Sequence, residues 1–270
     1  MYQLISHPIS IKHYNFLAIV ITLCLLNGCS RKVESNNDFA HGSSANISEH
    51  LSKAETLFGQ RSDISKLREA VNTLGMARNP DVRNYEVEWK FAKYSYFLGK
   101  VEPIEKDAIE AFEKGRDAGK IASRVDPGKA DGHFWYGANL GELARISPVT
   151  VGIKSVDDIR EEMETSIAIE PNYQNGSAYD GLGQLEMATR TLKGGTIEKA
   201  IEYYEKGLEI SPDNANIRLH LAEAYLAAKK DPEAKKQLTA LFALTPNPLY
   251  ATEHAVAVEK GRTLFSKNFQ

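Results

Sequence analysis

From Ile47 onward, apolar residues recur every three to four positions. Ile47, Leu51, Ala54 and Phe58 form one stripe, closed by Gly59, and Ile64, Leu67, Val71 and Leu74 form the next. That period puts each set on one face of an α-helix. Tyr85 to Leu98 predicts a third helix carrying Trp89, Phe91, Tyr94 and Phe97. Pro103 opens a long helix that runs to Val125, and Gly115, Ala118, Gly119 and Ala122 give it a small face for a close neighbour. Further helices are expected over 132–144, 156–169, 177–189 and through two more up to Pro246, with a last one over 252–269. No segment alternates with period two over a strand's length, so the expected fold class is all-α.

The stretch from Thr196 to Pro246 shows how these helices are organised. Ala200, Tyr204 and Pro212 return as Ala234, Leu238 and Pro246, each pair 34 residues apart. Between them lies a short helix with Leu221, Ala222 and Tyr225 on one face. Large, small and aromatic positions followed by a small residue and a closing proline resemble the tetratricopeptide repeat (TPR). Ala222 and Ala234 are expected where the two helices cross, and the proline ends the second helix. The architecture expected is a TPR-like α-α superhelix, with 252–269 as a C-terminal capping helix.

The spacing of the unit-ending prolines adds a further feature. Pro171 to Pro212 is 41 residues and Pro127 to Pro171 is 44, against 34 for the last unit. The excess falls over 189–195 and 145–154, in both cases between the first and second helix of a unit. Equivalent turns of a solenoid share one edge, so the two insertions should stand side by side over one opening. They can also be read as tolerated surface loops. Ile146, Pro148, Val149, Val151 and Ile153 make the first too apolar for a solvated loop, so it should pack on something.

First helices of such units line the inner wall. Here they carry Trp89, Lys93 and Tyr96, then Phe134, Ala138 and Asn139, then Tyr179, Asp180 and Gln184. With Val149 and Val151 from the insertion, these groups suit a guest with an apolar body and a polar end, oriented by Asn139 or Gln184. Aromatic residues at helical spacing are more often core. Phe91, Trp135 and Tyr136 are assigned there, whereas Trp89, Phe134 and Asn139 fit core and wall equally.

Composition changes this picture little. Hydrophobic residues make up 42% and charged residues 26%, enough to fill and cover a helical array. The net charge of −3, with no Lys/Arg run, gives no nucleic-acid surface. The amino terminus changes it more. Phe16 to Leu26 is an apolar run of 11 residues, too short to span a bilayer, preceded by Lys12 and followed by Asn27-Gly28-Cys29. An ordinary secretory signal or signal anchor would also look like this. Of the two cysteines, Cys24 would leave with a signal peptide and Cys29 would head the mature chain. An exported chain that keeps one cysteine, where a lipid would attach, favours a lipoprotein with Cys29 lipidated. The expected organisation is a signal peptide over 1–28, the lipidated cysteine and a polar tether over 29–46, and the helical domain over 47–270. Ser30 after the cysteine points to the inner leaflet of the outer membrane, facing the periplasm, with the lipid as the sole membrane contact.

Catalytic chemistry has little support. His41, His50, His133, His220 and His254 show no metal-ligand spacing, and no HExxH, GxSxG or phosphate-binding glycine loop occurs. The chain is therefore not expected to be an enzyme, and neither a metal nor a cofactor is expected. Gly194-Gly195 ahead of Thr196 is better explained as an insertion turn plus N-cap than as an anion site.

Four stretches carry a further resemblance: residues 132–141 (GHFWYGANLG), residues 159–164 (IREEME), Glu170-Pro171-Asn172-Tyr173 with Gly176, and Gly194-Gly195 ahead of Ala200, Ile201 and Tyr204. With the lipobox-like Leu26–Cys29, residues 83–244 resemble the TRAP-transporter T-component (TatT-type) lipoprotein family. That resemblance implies a helical superhelix pierced by a pore or cleft. It also implies an apolar or organic-acid ligand, and the periplasmic solute-binding protein of a TRAP transporter as partner. The His-x-Trp-Tyr stretch is similar also to regulator of microtubule dynamics proteins, a branch the lipobox argues against. Two functions follow: an accessory ligand-binding or partner-binding component beside a transporter, or a general TPR protein-protein interaction scaffold anchored to the outer membrane. A lidded cavity would favour the first and an open groove the second. A homo-oligomer remains compatible with both.

Overall fold

In the computed structural model, residues 44–191 and 193–269 are described. The signal peptide, Cys29 and most of the tether lie outside the described residues. Everything described falls within one compact unit spanning 40–270.

Eleven α-helices follow one another, with no strand among the described residues. They are α1 (Ser44–Phe58), α2 (Ile64–Ala77), α3 (Tyr85–Val101), α4 (Glu105–Val125), α5 (Ala130–Ile146), α6 (Ile153–Ile169), α7 (Ser177–Ala188), α8 (Ile197–Ile210), α9 (Ala215–Ala227), α10 (Asp231–Phe242) and α11 (Ala251–Phe269). They pack as consecutive antiparallel pairs, α1/α2 through α9/α10, and the first helix of each pair also packs on the first helix of the next. That is the TPR-like superhelix the periodicity predicts. Among the described residues, no helix is long and apolar enough to cross a membrane.

Local chemistry sets the boundaries. Asp63, Asn84, Thr196 and Asn214 cap α2, α3, α8 and α9, each accepting a hydrogen bond from a first-turn backbone N–H. The small face on α4 does what small faces do. A Cβ on Gly119 would stand 2.6 Å from the Tyr136 backbone nitrogen, so α4 and α5 approach more closely than any larger residue allows. Ala222 and Ala234 are both fully buried on the packed pair α9/α10. Helix α11 buries Ala257 and Gly261 against α9 and α10, which makes it the expected cap.

Both insertions fall between the helices of a pair. Residues Pro148–Gly152 form a π-helical turn between α5 and α6, and 189–196 join α7 to α8. Ile146 and Val151 pack against the buried cluster of Phe112 and Leu143, as the first insertion's apolar composition predicts. Val149 does not, and is 77% exposed.

Candidate functional site

The inner wall of the superhelix lines a cavity of about 730 Å³ that is partly open to solvent, within the range of small-molecule sites. Its apolar side comes from three helices. Tyr96 and Phe97 stand on α3, Phe134 and Trp135 on α5, and Ile159 and Met163 on α6. Its polar side comes from α7, α9 and the start of α11, with Asp180, Gln184, His220, Glu223, Glu253 and His254. Both insertions border it: Arg145, Pro148, Gly152 and Ile153 from the first, Thr189 and Lys193 from the second. Both insertions therefore border the same cavity.

The apolar side is held rigidly. The Trp135 indole N–H donates to the Tyr173 hydroxyl at 2.9 Å, and Tyr173 donates to Asp131 at 2.8 Å. The other Asp131 oxygen accepts from Tyr85 at 2.9 Å. Burial, and then the Asp131 charge, raise the Tyr173 pKa, so its hydroxyl keeps its proton. Phe134 meets Trp135 and Tyr173 edge to face, with centroids 4.8 and 5.4 Å away.

On the polar side, Asp180 accepts from Nδ1 of His220 at 2.7 Å and from the Gln184 amide at 2.9 Å. Burial opposes the charge on His220. The Asp180 carboxylate outweighs it, and the histidine pKa is raised above its ordinary 6.5. Between α6 and α7, Gln174, Asn175 and Gly176 are successive residues with left-handed backbone, at φ 47°, 56° and 71°. This is a costly conformation for glutamine. It sets Gln174 and Asn175 on the cavity wall. At the far seam, Arg61 in the turn after α1 comes within 4.0 Å of Glu253 on α11, so the first and last described helices are brought together.

Of the eleven side chains the sequence proposes for the wall, Tyr96, Phe134, Ala138, Asp180 and Gln184 line the cavity. The other six do not, Tyr179 among them, which sits against Gly207 on α8. Trp89 packs against the main core, and Lys93 lies among the rings of Phe58, Trp89 and Trp135 at 5.3, 6.0 and 5.9 Å. Helix α1 covers that end of α3 with Phe58, which stacks on Tyr94 at 4.0 Å. Burial lowers the Lys93 pKa.

Asn139 is fully buried on the other side of α5. Its amide donates to the carbonyls of Ala92 at 3.1 Å and Trp135 at 2.7 Å. Gly115 leaves the room, since a Cβ there would stand 2.2 Å from the Asn139 Oδ1. Asn139 thus locks α3, α4 and α5 together and meets no guest. Val149 faces solvent and Val151 packs into the core, so neither lines the cavity.

The residues that sequence reasoning missed are His220, Glu223, Glu253, His254 and Met163, together with Trp135, which it assigned to the core and which is both in the buried cluster and on the cavity wall. His220 and Glu223 were within reach. Carrying the inner-wall register of α3, α5 and α7 onward to α9 picks out Asn216, His220 and Glu223 at helical spacing, and all three line the cavity. Among the described residues, no group of three or more His, Cys, Asp or Glu side chains is placed to hold a metal.

Two family models match successive parts of the chain. The family model described as "Regulator of microtubule dynamics protein 1-3" matches residues 50–188. One described as "Tetratricopeptide repeat" matches residues 191–255. Regulator of microtubule dynamics protein 3 of Bos taurus is 26% identical over 165 residues, covering 55% of this chain and 34% of the relative. The Rattus norvegicus protein of the same name is 22% identical over 164 residues, covering 56% of this chain and 35% of the relative. The chain thus spans about a third of the length of the curated relatives it matches. Among solved structures, a thermophilic TPR protein of Thermus thermophilus superposes with a TM-score of 0.56 at 18% identity, over 79% of this chain and 99% of that one. At that identity the likeness is one of fold.

Proposed function

The chain belongs to the regulator of microtubule dynamics protein 1-3 family, and from that premise we propose that it is a non-catalytic TPR binding module whose central cavity encloses a small apolar guest. The observation that carries this reading is that one cavity of about 730 Å³ is lined by the inner helices and bordered by both insertions. A surface that only gripped a partner would not need to wrap an apolar interior.

Gly141 offers a direct test. It lines the cavity, and a Cβ built on it meets nothing within 4 Å. Gly141→Trp should fill the space while leaving the helix at least as favourable as before. The parent should bind the uncharged probe N-phenyl-1-naphthylamine saturably at one site, and the variant should not. Equal binding by both would end the cavity reading and leave the scaffold reading.

The finer setting is proposed from the sequence. The relatives' names speak of microtubule dynamics, whereas Leu26-Asn27-Gly28-Cys29 favours an exported lipoprotein for this chain. We place it in the periplasm, lipid-anchored to the outer membrane, as an accessory component beside a TRAP-type transporter with the solute-binding protein as partner. Cys29→Ala should abolish partition into the detergent phase. A variant that partitions like the parent rules the anchor out.

A further inference from the structure

The charges on the cavity wall name a ligand class. Five carboxylates line it among the described residues: Glu142, Asp180, Asp213, Glu223 and Glu253. The lining supplies one arginine and one lysine against them. Arg145 is held by Glu142 at 2.8 Å, and Lys193 faces Asp157 at 3.7 Å. Lys100 also holds Glu142, at 2.7 Å. His220 is held by Asp180 at 2.7 Å. Arg61 also reaches the wall, 4.0 Å from Glu253 and stacked over the rings of Phe58 and Phe97. Each of these cations therefore already has a carboxylate neighbour. Among the described residues no ion pair engages Glu223, which is exposed, and the one at Glu253 reaches a single oxygen, Oε1. The Oε2 atom of Glu253 and both ring nitrogens of the adjacent His254 are buried without a hydrogen-bond partner. Buried polar atoms are rarely left so, and these belong to residues on the polar side of the cavity.

We propose that the cavity binds an amphipathic cation: an apolar body against Tyr96, Phe134, Trp135 and Met163, and a single ammonium or guanidinium group at Glu253 and Glu223. This deepens the cavity-binding reading and rests on it. It also reverses the expectation of an organic acid. An acid's carboxylate would find the His254 ring as its one unpartnered ring donor, in a wall whose lysine, arginines and His220 each have a carboxylate neighbour and whose excess charge is negative. Glu223 is exposed and Glu253 partly so, which leaves that sign open to screening by salt.

The test uses two probes of equal chain length, octylammonium and octanoate, each displacing N-phenyl-1-naphthylamine from the full chain. Octylammonium should displace the probe at roughly tenfold lower concentration or better, an advantage that shrinks with added salt. In the double variant Glu223→Gln, Glu253→Gln the ratio of the two should fall by about tenfold. The ratio is taken on one protein sample, so partial unfolding of the variant cancels. Octanoate binding as well as octylammonium, failure of both to displace, or an unchanged ratio in the double variant would each overturn the proposal. Failure of the neutral probe itself would bring down the cavity-binding reading first, and so tells the two apart.

Discussion

Asp180 on α7 and His220 on α9 are joined across the cavity wall by a 2.7 Å contact, 40 residues apart in sequence. The pair ties the first helices of two successive units. The tie is electrostatic where the neighbouring tie, between Trp135 and Tyr173, is a neutral hydrogen bond.

The sign of the His220 shift fixes its pH dependence. Burial lowers the pKa, but the Asp180 charge and hydrogen bond more than offset this, and the folded value stands above 6.5. A raised folded pKa gives stability that is complete below the unfolded value and is lost as pH rises through the folded one. The melting temperature of the parent minus that of His220→Gln should therefore shrink as pH is raised from about 6 to about 9. A difference that stays constant, or grows, contradicts the ion pair.

Glu186 anchors the second insertion. Its side chain is 1% exposed and meets Arg160 at 2.7 Å, while it accepts from the Thr196 backbone N–H at 3.1 Å. Glu186→Ala strands that N–H and releases Arg160, which keeps some access to water. A loss of about 2–3 kcal/mol is expected, below the full figure for a wholly buried pair. Limited trypsin digestion should cut faster after Arg190 or Lys193 in the variant. Unchanged cleavage would mean the segment is held by other contacts.

Ala222 tests the repeat register. It is closed to solvent, at 0% exposure on α9. Ala222→Leu adds volume where α10 and α11 already fill the space, and should cost on the order of 1–3 kcal/mol. An unchanged melting temperature would remove the small-residue crossing from the account of this unit.

How far the sequence reaches can be seen at single residues. The repeat was legible because Ala200, Tyr204 and Pro212 recur with both class and spacing intact. The insertions were legible because proline spacing counts residues independently of their conformation. Asn139 was not, because the inner and outer faces of α5 both carry small and polar residues, and only the Gly115 gap on α4 shows which face the amide takes. Lys93 was missed for a different reason. The register puts it on the inner face, but α1 folds over that end of α3 and Phe58 takes the space. A terminal helix that covers the wall is a tertiary event, and no periodicity within α3 encodes it. Glu253 reaches the cavity by closure between α11 and the α1–α2 turn, which is likewise set by the whole superhelix.

Phe134 is the residue on which core and cavity arguments meet. It lines the cavity, yet is only 6% exposed, and its ring contacts Trp135 and Tyr173 edge to face. A ring so enclosed carries packing as well as a wall. Phe134→Ala should therefore cost about 3–5 kcal/mol, with loss of guest binding following from loss of fold. Gln184 makes the complementary case. It lines the same cavity but is exposed, and its amide bonds to Asp180 on its own helix. Gln184→Ala removes a polar group from the wall and leaves Asp180 bonded to His220, so it should change the melting temperature little. The two variants should separate when probe affinity is plotted against melting temperature. Phe134→Ala should fall on the line drawn by other core substitutions, and Gln184→Ala should lie off it. If Phe134→Ala instead keeps its melting temperature while losing the probe, the ring is a cavity wall first, and its contacts with Trp135 and Tyr173 contribute far less than their geometry indicates.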